Sequence, residues 1–340
     1  MLIRSKAPLR IGLAGGGSDV SPYSDRYGGA ILNATLNMYA YATILPRDDR
    51  KIILHSLDKQ TRIELPAETT LALDGKLDLI KGIYNRVVHD FSTGPLAFEL
   101  VTHVDAPPGS GLGSSSTLVI AILGAFTEWL NLPLGEYDLA HLAYQIERID
   151  LNMPGGKQDQ YAATFGGVNF MEFYHDDKVI VNPLRIRRET LSELAYNLVL
   201  FNTEVSRTSN RIIEEQRENV KNNRKDSIEA MHRIKEQAIM MKEALLKGNL
   251  NRIGDLLNFG WQNKKNMASG ITTERLEEIY SEALKAGASG GKISGAGGGG
   301  FMFFYCPNNS RFNVIDTLKK YGGEVQRYEF TVHGLNTWTI

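Results

Sequence analysis

The sequence predicts an α+β fold in two domains, on the strength of three observations. The chain has 340 residues, 42% of them hydrophobic and 23% charged, which suits about two globular domains. Its first half alternates strand and helix patterns, whereas residues 208 to about 247 carry long, charged helical stretches. A new strand pattern, YNLVLFNTEV, begins soon after residue 190. We therefore predict domains of residues 1–189 and 190–340.

The strands and helices of the first half follow from local patterns. AYATILPRDD and RKIILHSL carry β-branched runs bounded by turn residues, and GPLAFELVTHVDAPPG alternates as a strand does before it ends at two prolines. The segment STLVIAILGAFTEWL places Val119, Ile120 and Leu123 at helical spacing, and its Ser and Thr residues are expected to cap its start. This helix is predicted to be buried.

The later elements are marked by glycine and proline. EYDLAHLAYQIERIDL predicts a second helix that ends before MPGG, and KQDQYAATFGGVNFMEF ends in another strand. The segment EALKAGASGGKISGAGGGGFMFFYCP predicts a helix, a glycine-rich turn and a strand. A final helix and the strand pattern EVQRYEFTV follow.

Charge and cysteine content exclude several classes of protein. Lys and Arg number 38 against 39 Asp and Glu, so electrostatics gives no reason to expect a nucleic acid or membrane partner, and a small-molecule ligand fits better. The single cysteine, Cys306, excludes an internal disulfide and a thiolate-rich metal site. No uncharged apolar run reaches the roughly 18 residues that span a bilayer, and the N-terminal segment lacks the apolar core of a signal peptide. We expect a cytoplasmic protein.

The segment APPGSGLGSSST, residues 106–117, offers bare backbone just before the buried helix. Glycines let a backbone turn tightly and approach a ligand, and successive N–H groups at a helix start attract an anion. A polyphosphate is the predicted ligand, and a solvated turn is the alternative. The loop lacks the lysine of a P-loop, and Ser114 stands where a dinucleotide-binding motif needs its third glycine. The candidate nucleotide-binding residues are Pro108, Gly109, Ser110, Gly111, Leu112, Gly113, Ser114, Ser115 and Ser116.

Three segments in order carry a resemblance to a known superfamily. PPGSGLGSSS, at 107–116, resembles the central phosphate-binding motif of the GHMP kinases, which include galactokinase, homoserine kinase and mevalonate kinase. KAPLRIGLAGGGSD, at 6–19, resembles their N-terminal motif, and KISGAGGGGFM, at 292–302, resembles their C-terminal glycine motif. The resemblance implies an N-terminal domain like ribosomal S5 domain 2, a C-terminal ferredoxin-like domain, and ATP with Mg²⁺ bound near their junction.

Within this superfamily, GGGSD, GSGLGSSST and GGKQDQYAATFGG are most similar to the D-glycero-D-manno-heptose 7-phosphate kinases and to the kinase domain of L-fucokinase. Those enzymes phosphorylate a sugar at its anomeric C1 oxygen. The resemblance therefore implies a sugar-phosphate kinase that forms a 1,7-bisphosphate. An L-fucokinase or other sugar 1-kinase, a non-catalytic ATP and sugar sensor, and the diphosphomevalonate decarboxylase branch stay open, as does a homodimer.

Two residues are implied to be catalytic. Asp159 matches the aspartate that acts as base or orients the hydroxyl in the galactokinase and mevalonate kinase branches; an Asx-turn or helix cap is the alternative. Arg10 occupies the Lys/Arg position of the N-terminal motif. A guanidinium beside Asp159 would keep that carboxylate ionised and stabilise the charge of the migrating phosphoryl group. A surface arginine on a strand is the alternative for Arg10.

A hard cation requires oxygen ligands, usually with a carboxylate among them. The resemblance implies that Ser115 binds Mg²⁺ through its hydroxyl, with Ser116 as the alternative. Glu147 is the carboxylate we select, because it shares an inward helical row with Ala140 and Ala143, where an unpaired charge is costly. An ion pair with a neighbour such as Arg148 is the alternative.

The sugar is expected at the N-terminal glycines. Asp19 matches the aspartate that binds sugar hydroxyls in galactokinases, whereas Gly16 and Gly17 replace a glutamate and a histidine, which argues against galactose and leaves room for a larger sugar. The candidate substrate-binding residues of this segment are Gly16, Gly17, Ser18 and Asp19.

The distal phosphate of such a sugar requires cations. Arg207, where a strand gives way to a helix, is the candidate. Lys157 and Lys292 compete with it, although each is predicted to be a solvated lysine. Gly297 and Gly298, in the last glycine run, are implied to close the site from the C-terminal domain, and a tight structural turn is the alternative.

Overall fold

The computed structural model describes residues 1–205 and 209–340. The strands in these residues are β1 (Ile3–Ala14), β2 (Gly29–Pro46), β3 (Lys51–Ser56), β4 (Thr61–Pro66), β5 (Phe98–Val104), β6 (Val168–Phe173), β7 (Val179–Pro183), β8 (Leu198–Asn202), β9 (Gly290–Ile293), β10 (Phe301–Tyr305), β11 (Glu324–Gln326) and β12 (Asn336–Thr339). The α-helices are α1 (Tyr23–Tyr27), α2 (Asp78–Phe91), α3 (Ser114–Leu130), α4 (Glu136–Gln145), α5 (Gln158–Phe165), α6 (Arg188–Asn197), α7 (Ser209–Lys221), α8 (Lys225–Leu246), α9 (Ile253–Lys264), α10 (Glu274–Lys285) and α11 (Arg311–Leu318).

The larger sheet is organised by the long strand β2. Its first half pairs with β6 and its second half with β5, and β1 runs antiparallel along it. The spatial order is β12-β1-β2-β5-β3-β4, and β7 continues the sheet beyond β6. The register of β1 against β2 shifts between Pro8 and Arg10. Because such an irregularity re-aims the next side chain, it affects the direction of Arg10.

The core of the larger sheet is closed by α3 and α8. Every residue of α3 from Ser116 to Phe126 is buried, which confirms the predicted buried helix. The helix packs on β1 and β2, while α8, from the second half of the chain, also packs on these two strands. The prediction that Ser and Thr side chains cap α3 is wrong, since its N-cap is Gly113. The start of this helix therefore presents bare N–H groups.

The smaller sheet has the order β11-β8-β10-β9 and is antiparallel throughout. Along the chain its order is β8, the helices α7 to α10, β9, β10, α11 and β11. With the four helices counted as one helical connection, this is the β-α-β-β-α-β order of the predicted ferredoxin-like domain. Together the two sheets confirm the α+β class. The last strand, β12, returns to the larger sheet and pairs with β1, so the predicted boundary at residue 190 separates the two sheets apart from this strand. Among the described helices, none has both the length and the apolar character needed to cross a membrane.

Candidate active site

A cavity of about 400 Å³ lies where the glycine loops of the two sheets meet. Six segments contribute to it: the loop after β1, the starts of α3 and α5, one face of α7, the end of α9, and the loop before β10. Its lining residues are Arg10, Gly12, Gly16, Gly17, Asp19, Val20, Pro108, Gly109, Gly111, Gly113, Ser114, Ser115, Ser116, Glu147, Arg148, Met153, Pro154, Gly155, Gly156, Gln158, Asp159, Ser209, Asn210, Ile213, Gln216, Lys264, Lys292, Gly295 and Ala296.

The loop before α3 is built for an anion. Gly109, Gly111 and Gly113 all have φ between +76° and +78°, the left-handed region that a side chain disfavours. Thr117 is the first residue of α3 whose backbone N–H forms a helical hydrogen bond. It donates to the Gly113 carbonyl at 2.9 Å. The N–H groups of residues 114–116 have no acceptor within the helix, so they and the helix dipole favour negative charge in the cavity.

Two predicted residues of this loop face inward. Leu112 is fully buried, and its carbonyl accepts a hydrogen bond from the Arg10 N–H at 3.1 Å. Ser110 is also buried, and its carbonyl accepts from the Phe301 N–H at 2.9 Å. Both residues hold the loop in place rather than line the cavity.

Arg10 and Asp159 form an ion pair in the cavity lining. The Nε and Nη2 atoms of Arg10 lie 2.7 Å and 2.6 Å from the same carboxylate oxygen, Oδ1 of Asp159. The third nitrogen, Nη1, donates to the Gly111 carbonyl at 2.6 Å. The arginine is buried, and 22% of the Asp159 side chain is exposed. The pair therefore joins the phosphate loop to α5 and leaves the second carboxylate oxygen of Asp159 free of the guanidinium.

Asp19 fixes the start of α5. Its Oδ2 atom accepts hydrogen bonds from the backbone N–H groups of Lys157 and Gln158, at 2.9 Å and 3.0 Å. Burial raises the pKa of the Asp19 carboxyl, and repulsion from Asp159 raises it further, while the N–H bonds of the α5 start oppose this. Ser18 is structural, because its hydroxyl donates to the carbonyls of Gly15 and Ala30.

Glu147 points to the start of α3 from a π-helical turn, residues 146–150, that follows α4. This turn interrupts the single helix predicted for residues 136–151. Glu147 is fully buried, and its Oε1 accepts a hydrogen bond from the Ser115 hydroxyl at 3.4 Å. Arg148 lies 3.7 Å from the same oxygen, so the predicted alternative, an ion pair between these neighbours, coexists with the contact to Ser115.

Ser115 and Ser116 differ in their surroundings. Ser115 is exposed at the cavity, whereas Ser116 is buried, and its hydroxyl accepts a hydrogen bond from the Gln160 amide at 3.2 Å. The Gln160 amide also donates to the second oxygen of Glu147. Ser115 is therefore the hydroxyl that is free to turn toward a ligand.

Comparison with known protein families decides the family. The model of the GHMP kinases N terminal domain matches residues 78–167, and that of the GHMP kinases C terminal matches residues 241–324. The chain is also 50% identical to the D-glycero-alpha-D-manno-heptose 7-phosphate kinase of Campylobacter jejuni, over 99% of both chains. The chain belongs to the GHMP kinases.

Solved structures agree with this membership. The crystal structure of a D-glycero-D-manno-heptose 1-phosphate kinase from Bacteroides thetaiotaomicron has a TM-score of 0.85 and 46% identity, over 99% of both chains. The name of this relative differs from that of the Campylobacter relative in the position of the phosphate on the heptose. Lactococcus lactis galactokinase, with a TM-score of 0.78 at 22% identity over 98% of this chain and 95% of that one, shows the shared fold alone.

As a GHMP kinase, the chain is a phosphotransferase with ATP as donor and an alcohol group as acceptor, and its close relatives place it with the sugar kinases.

Two lysines of this kinase differ from expectation. The prediction that Lys157 and Lys292 are solvated is wrong, since both are buried. Lys157 pairs with Asp177 at 2.6 Å, away from the cavity lining. Lys292 lines the cavity and donates to the Gly12 carbonyl at 2.6 Å, and burial lowers the pKa of its ammonium well below its ordinary value.

Lys264, at the end of α9, is a cavity residue that the sequence did not indicate. Its ammonium donates to the Gly295 carbonyl at 2.7 Å, and burial lowers its pKa to about 8. It stands in the charged segment WQNKKN, where the local sequence pattern does not distinguish a buried lysine from a solvated one. The cavity face of α7, from Ser209 to Gln216, was missed for the same reason.

Among the described residues, three predicted substrate residues do not line the cavity: Ser18, Gly297 and Gly298. Gly298 donates to the Ile271 carbonyl at 2.8 Å, and a Cβ on Gly297 would lie 2.9 Å from Ile271, so this pair packs against a neighbouring loop. Gly295 and Ala296 line the cavity in their place. Arg207 lies outside the described residues.

Proposed function

We propose that this kinase phosphorylates the anomeric C1 hydroxyl of D-glycero-D-manno-heptose 7-phosphate, with ATP and Mg²⁺, to give the 1,7-bisphosphate. The observation that carries the proposal is the Arg10–Asp159 pair held at the mouth of the α3 phosphate loop. The 50% identity to a heptose 7-phosphate kinase over 99% of both chains supports the choice of sugar. A cytoplasmic location stays a prediction from the sequence.

The geometry gives each group a task. The acceptor hydroxyl gives its proton to the free oxygen of Asp159, its own oxygen attacks the γ-phosphorus of ATP, and ADP leaves. Arg10 pairs with Asp159 and faces the charge that develops on the transferred group. The N–H groups at the start of α3 bind the remaining phosphates. Asp19 holds α5, and through it Asp159, in register with the phosphate loop.

The residues beside α3 fit a magnesium ion. Glu147 is a buried carboxylate whose Oε1 has only the long 3.4 Å contact to Ser115 and the 3.7 Å contact to Arg148. A carboxylate and a hydroxyl are hard oxygen donors of the kind that Mg²⁺ takes together with phosphate oxygens. Within the described residues there is no cluster of three or more His, Cys, Asp and Glu, so phosphate oxygens would complete the site. Magnesium would there neutralise charge on the phosphates.

The distal phosphate of the sugar would need cationic side chains that do not bind the phosphates of ATP. Lys264 is one candidate, because it lines the cavity beside Gly16, and a Cβ on Gly16 would lie 3.8 Å from its ammonium. Arg207 stays a candidate from the sequence. A homodimer also stays a prediction.

A sugar panel combined with one variant tests the proposal. Purified protein with ATP and Mg²⁺ is offered heptose 7-phosphate, heptose 1-phosphate, L-fucose and galactose, and the product is analysed by ³¹P NMR for an anomeric phosphate. We expect the 7-phosphate to react fastest, and Asp159→Asn to lose at least about a hundredfold in kcat while it still binds ATP. The exposed Asp48→Asn is the matched control.

Other outcomes would count against specific parts of the proposal. Faster reaction of L-fucose or of the heptose 1-phosphate would replace the assigned acceptor. Undiminished turnover by Asp159→Asn would remove the assigned base.

A further inference from the structure

Two buried amide atoms in the cavity lack hydrogen-bond partners among the described residues. They are Nε2 of Gln216 and Oε1 of Gln158, and both residues line the cavity. Buried polar atoms are almost always paired, because an unpaired one loses its bonds to water and gains nothing. Each atom therefore marks a place where a bound molecule can supply the missing partner.

Gln216 reaches the cavity from α7. Ser209, Ile213 and Gln216 recur at helical spacing on the face of α7 that lines the cavity. The Gln216 side chain is buried, and its Oε1 would lie 3.6 Å from a Cβ on Gly17. The second half of the chain thus places the side-chain amide of Gln216 beside Gly17, one of the glycines at which the sugar is expected.

Gln158 reaches the cavity from the start of α5, next to Asp159. Its backbone N–H is held by Asp19, so the backbone of this residue is fixed. Its Oε1 would lie 3.6 Å from a Cβ on Gly12, another residue that lines the cavity. An amide acceptor is thus presented beside the catalytic carboxylate.

The two atoms require opposite partners. Nε2 of Gln216 needs an acceptor, and Oε1 of Gln158 needs a donor. Ionised phosphate oxygens only accept hydrogen bonds, so the phosphates of ATP cannot satisfy Gln158. A hydroxyl group both donates and accepts, and a sugar carries several of them within one cavity. The pair therefore matches a polyhydroxylated acceptor.

We propose that Gln216 and Gln158 determine acceptor specificity by hydrogen bonding to hydroxyl groups of the sugar. Gln216 donates to a hydroxyl oxygen, and Gln158 accepts a hydroxyl proton. Neither residue exchanges a proton with the reacting oxygen. This inference rests on the proposed function, in that the acceptor is a sugar.

The same substitution has opposite effects at the two positions. Gln216→Glu removes the donor, so the KM for heptose 7-phosphate should rise about tenfold. Gln158→Glu keeps an acceptor, so this KM should stay within about threefold, whereas Gln158→Met should raise it about tenfold. Gln216→Met should behave like Gln216→Glu. In the two Met variants, which add no charge, the KM for ATP should stay within about twofold, because no bond to the nucleotide is changed.

The exposed Gln262→Met, on α9, is the matched control and should leave both KM values unchanged. Circular dichroism checks the fold, and the Glu variants, which keep the size of the side chain, decide the test if a Met variant does not fold. An unchanged sugar KM in Gln216→Met, or an equal rise in its KM for ATP, would overturn the inference. If wild type instead phosphorylates another sugar of the panel, the proposed function fails, and the same comparison of variants is made with that sugar.

Discussion

Lys264 shows at the scale of one residue how burial turns a surface-type side chain into a titratable group of the site. Removal from water lowers the pKa of its ammonium from 10.5 to about 8, the nearby Asp19 carboxylate opposes this shift, and Arg10 adds to it. The fold therefore bears a cost for holding this charge, and the cost depends on pH.

That dependence has a definite sign. Between about pH 8 and 10.5 the unfolded lysine is protonated while the folded one has lost its proton, so the unfolded state binds more protons and stability rises with pH. Below about pH 8 both forms are charged and the full cost is present. Relative to Lys264→Met, the unfolding free energy of wild type should rise by about 2 kcal/mol from pH 7 to pH 9.5, as measured by urea denaturation.

The exposed Lys247→Met serves as control, and its difference from wild type should not change with pH. A difference between wild type and Lys264→Met that stays flat over this range would mean that Lys264 titrates as a solvated lysine.

The sequence predicted the residues of the site unevenly. Arg10, Glu147 and Asp159 stand in or beside recognisable motifs, and their side chains line one cavity. Whether they act as assigned stays a prediction. Lys264 and Gln216 could not be found, because a lysine or glutamine in a charged amphipathic helix has the same local pattern whether it is solvated or faces a cavity across the chain.

At the scale of the element, the loop before α3 combines a backbone requirement with a space requirement. Gly113 has φ +78°, and a Cβ there would lie 3.2 Å from Cγ of Asp159 and 3.5 Å from Cζ of Arg10. A side chain at this position would therefore strain the backbone and also press on the Arg10–Asp159 pair.

Gly75 separates these two effects. Its φ is +89°, but a Cβ there would meet nothing within 4 Å. Gly113→Ala and Gly75→Ala should each lower the unfolding free energy by about 1 kcal/mol, from the strained φ alone. Only Gly113→Ala should also lower kcat, by about tenfold or more, since displacement of reacting groups is costly. Urea denaturation and steady-state kinetics measure the two effects, and equal kcat values in both variants would show that the catalytic pair tolerates the methyl group.

Helix and strand patterns predicted most elements but missed two local features that orient groups of the site. The π-helical turn that carries Glu147 hardly changes the spacing of apolar residues after α4. The sequence pattern therefore predicts one continuous helix across α4 and this turn. The start of α3 is bare because Gly113 takes the N-cap position one residue before the serines. Both details depend on packing against other elements rather than on local preference.

At the scale of the whole molecule, the site is shared between the two sheets. The Ser294 hydroxyl donates to the Gly111 carbonyl at 2.8 Å, and the Phe301 N–H donates to the Ser110 carbonyl at 2.9 Å. The phosphate loop of the larger sheet is therefore held by the strands of the smaller one. The α+β class could be predicted from the sequence, but this junction could not, because hydrogen bonds between segments more than 180 residues apart leave no local pattern.

These bonds predict that nucleotide binding tightens both sheets at once. Phosphates bound at the loop before α3 should immobilise its backbone, to which residues 294–301 are hydrogen bonded. A non-hydrolysable ATP analogue with Mg²⁺ should therefore slow amide hydrogen exchange in residues 109–116 and also around β9 and β10. The β3–β4 hairpin, which contributes no residue to the cavity, is the internal control and should exchange at the same rate with and without nucleotide. In Ser294→Ala, which lacks one of the bonds, the protection around β9 and β10 should weaken while that of the loop persists. Protection confined to residues 109–116 in wild type would instead show that the smaller sheet does not respond to the nucleotide.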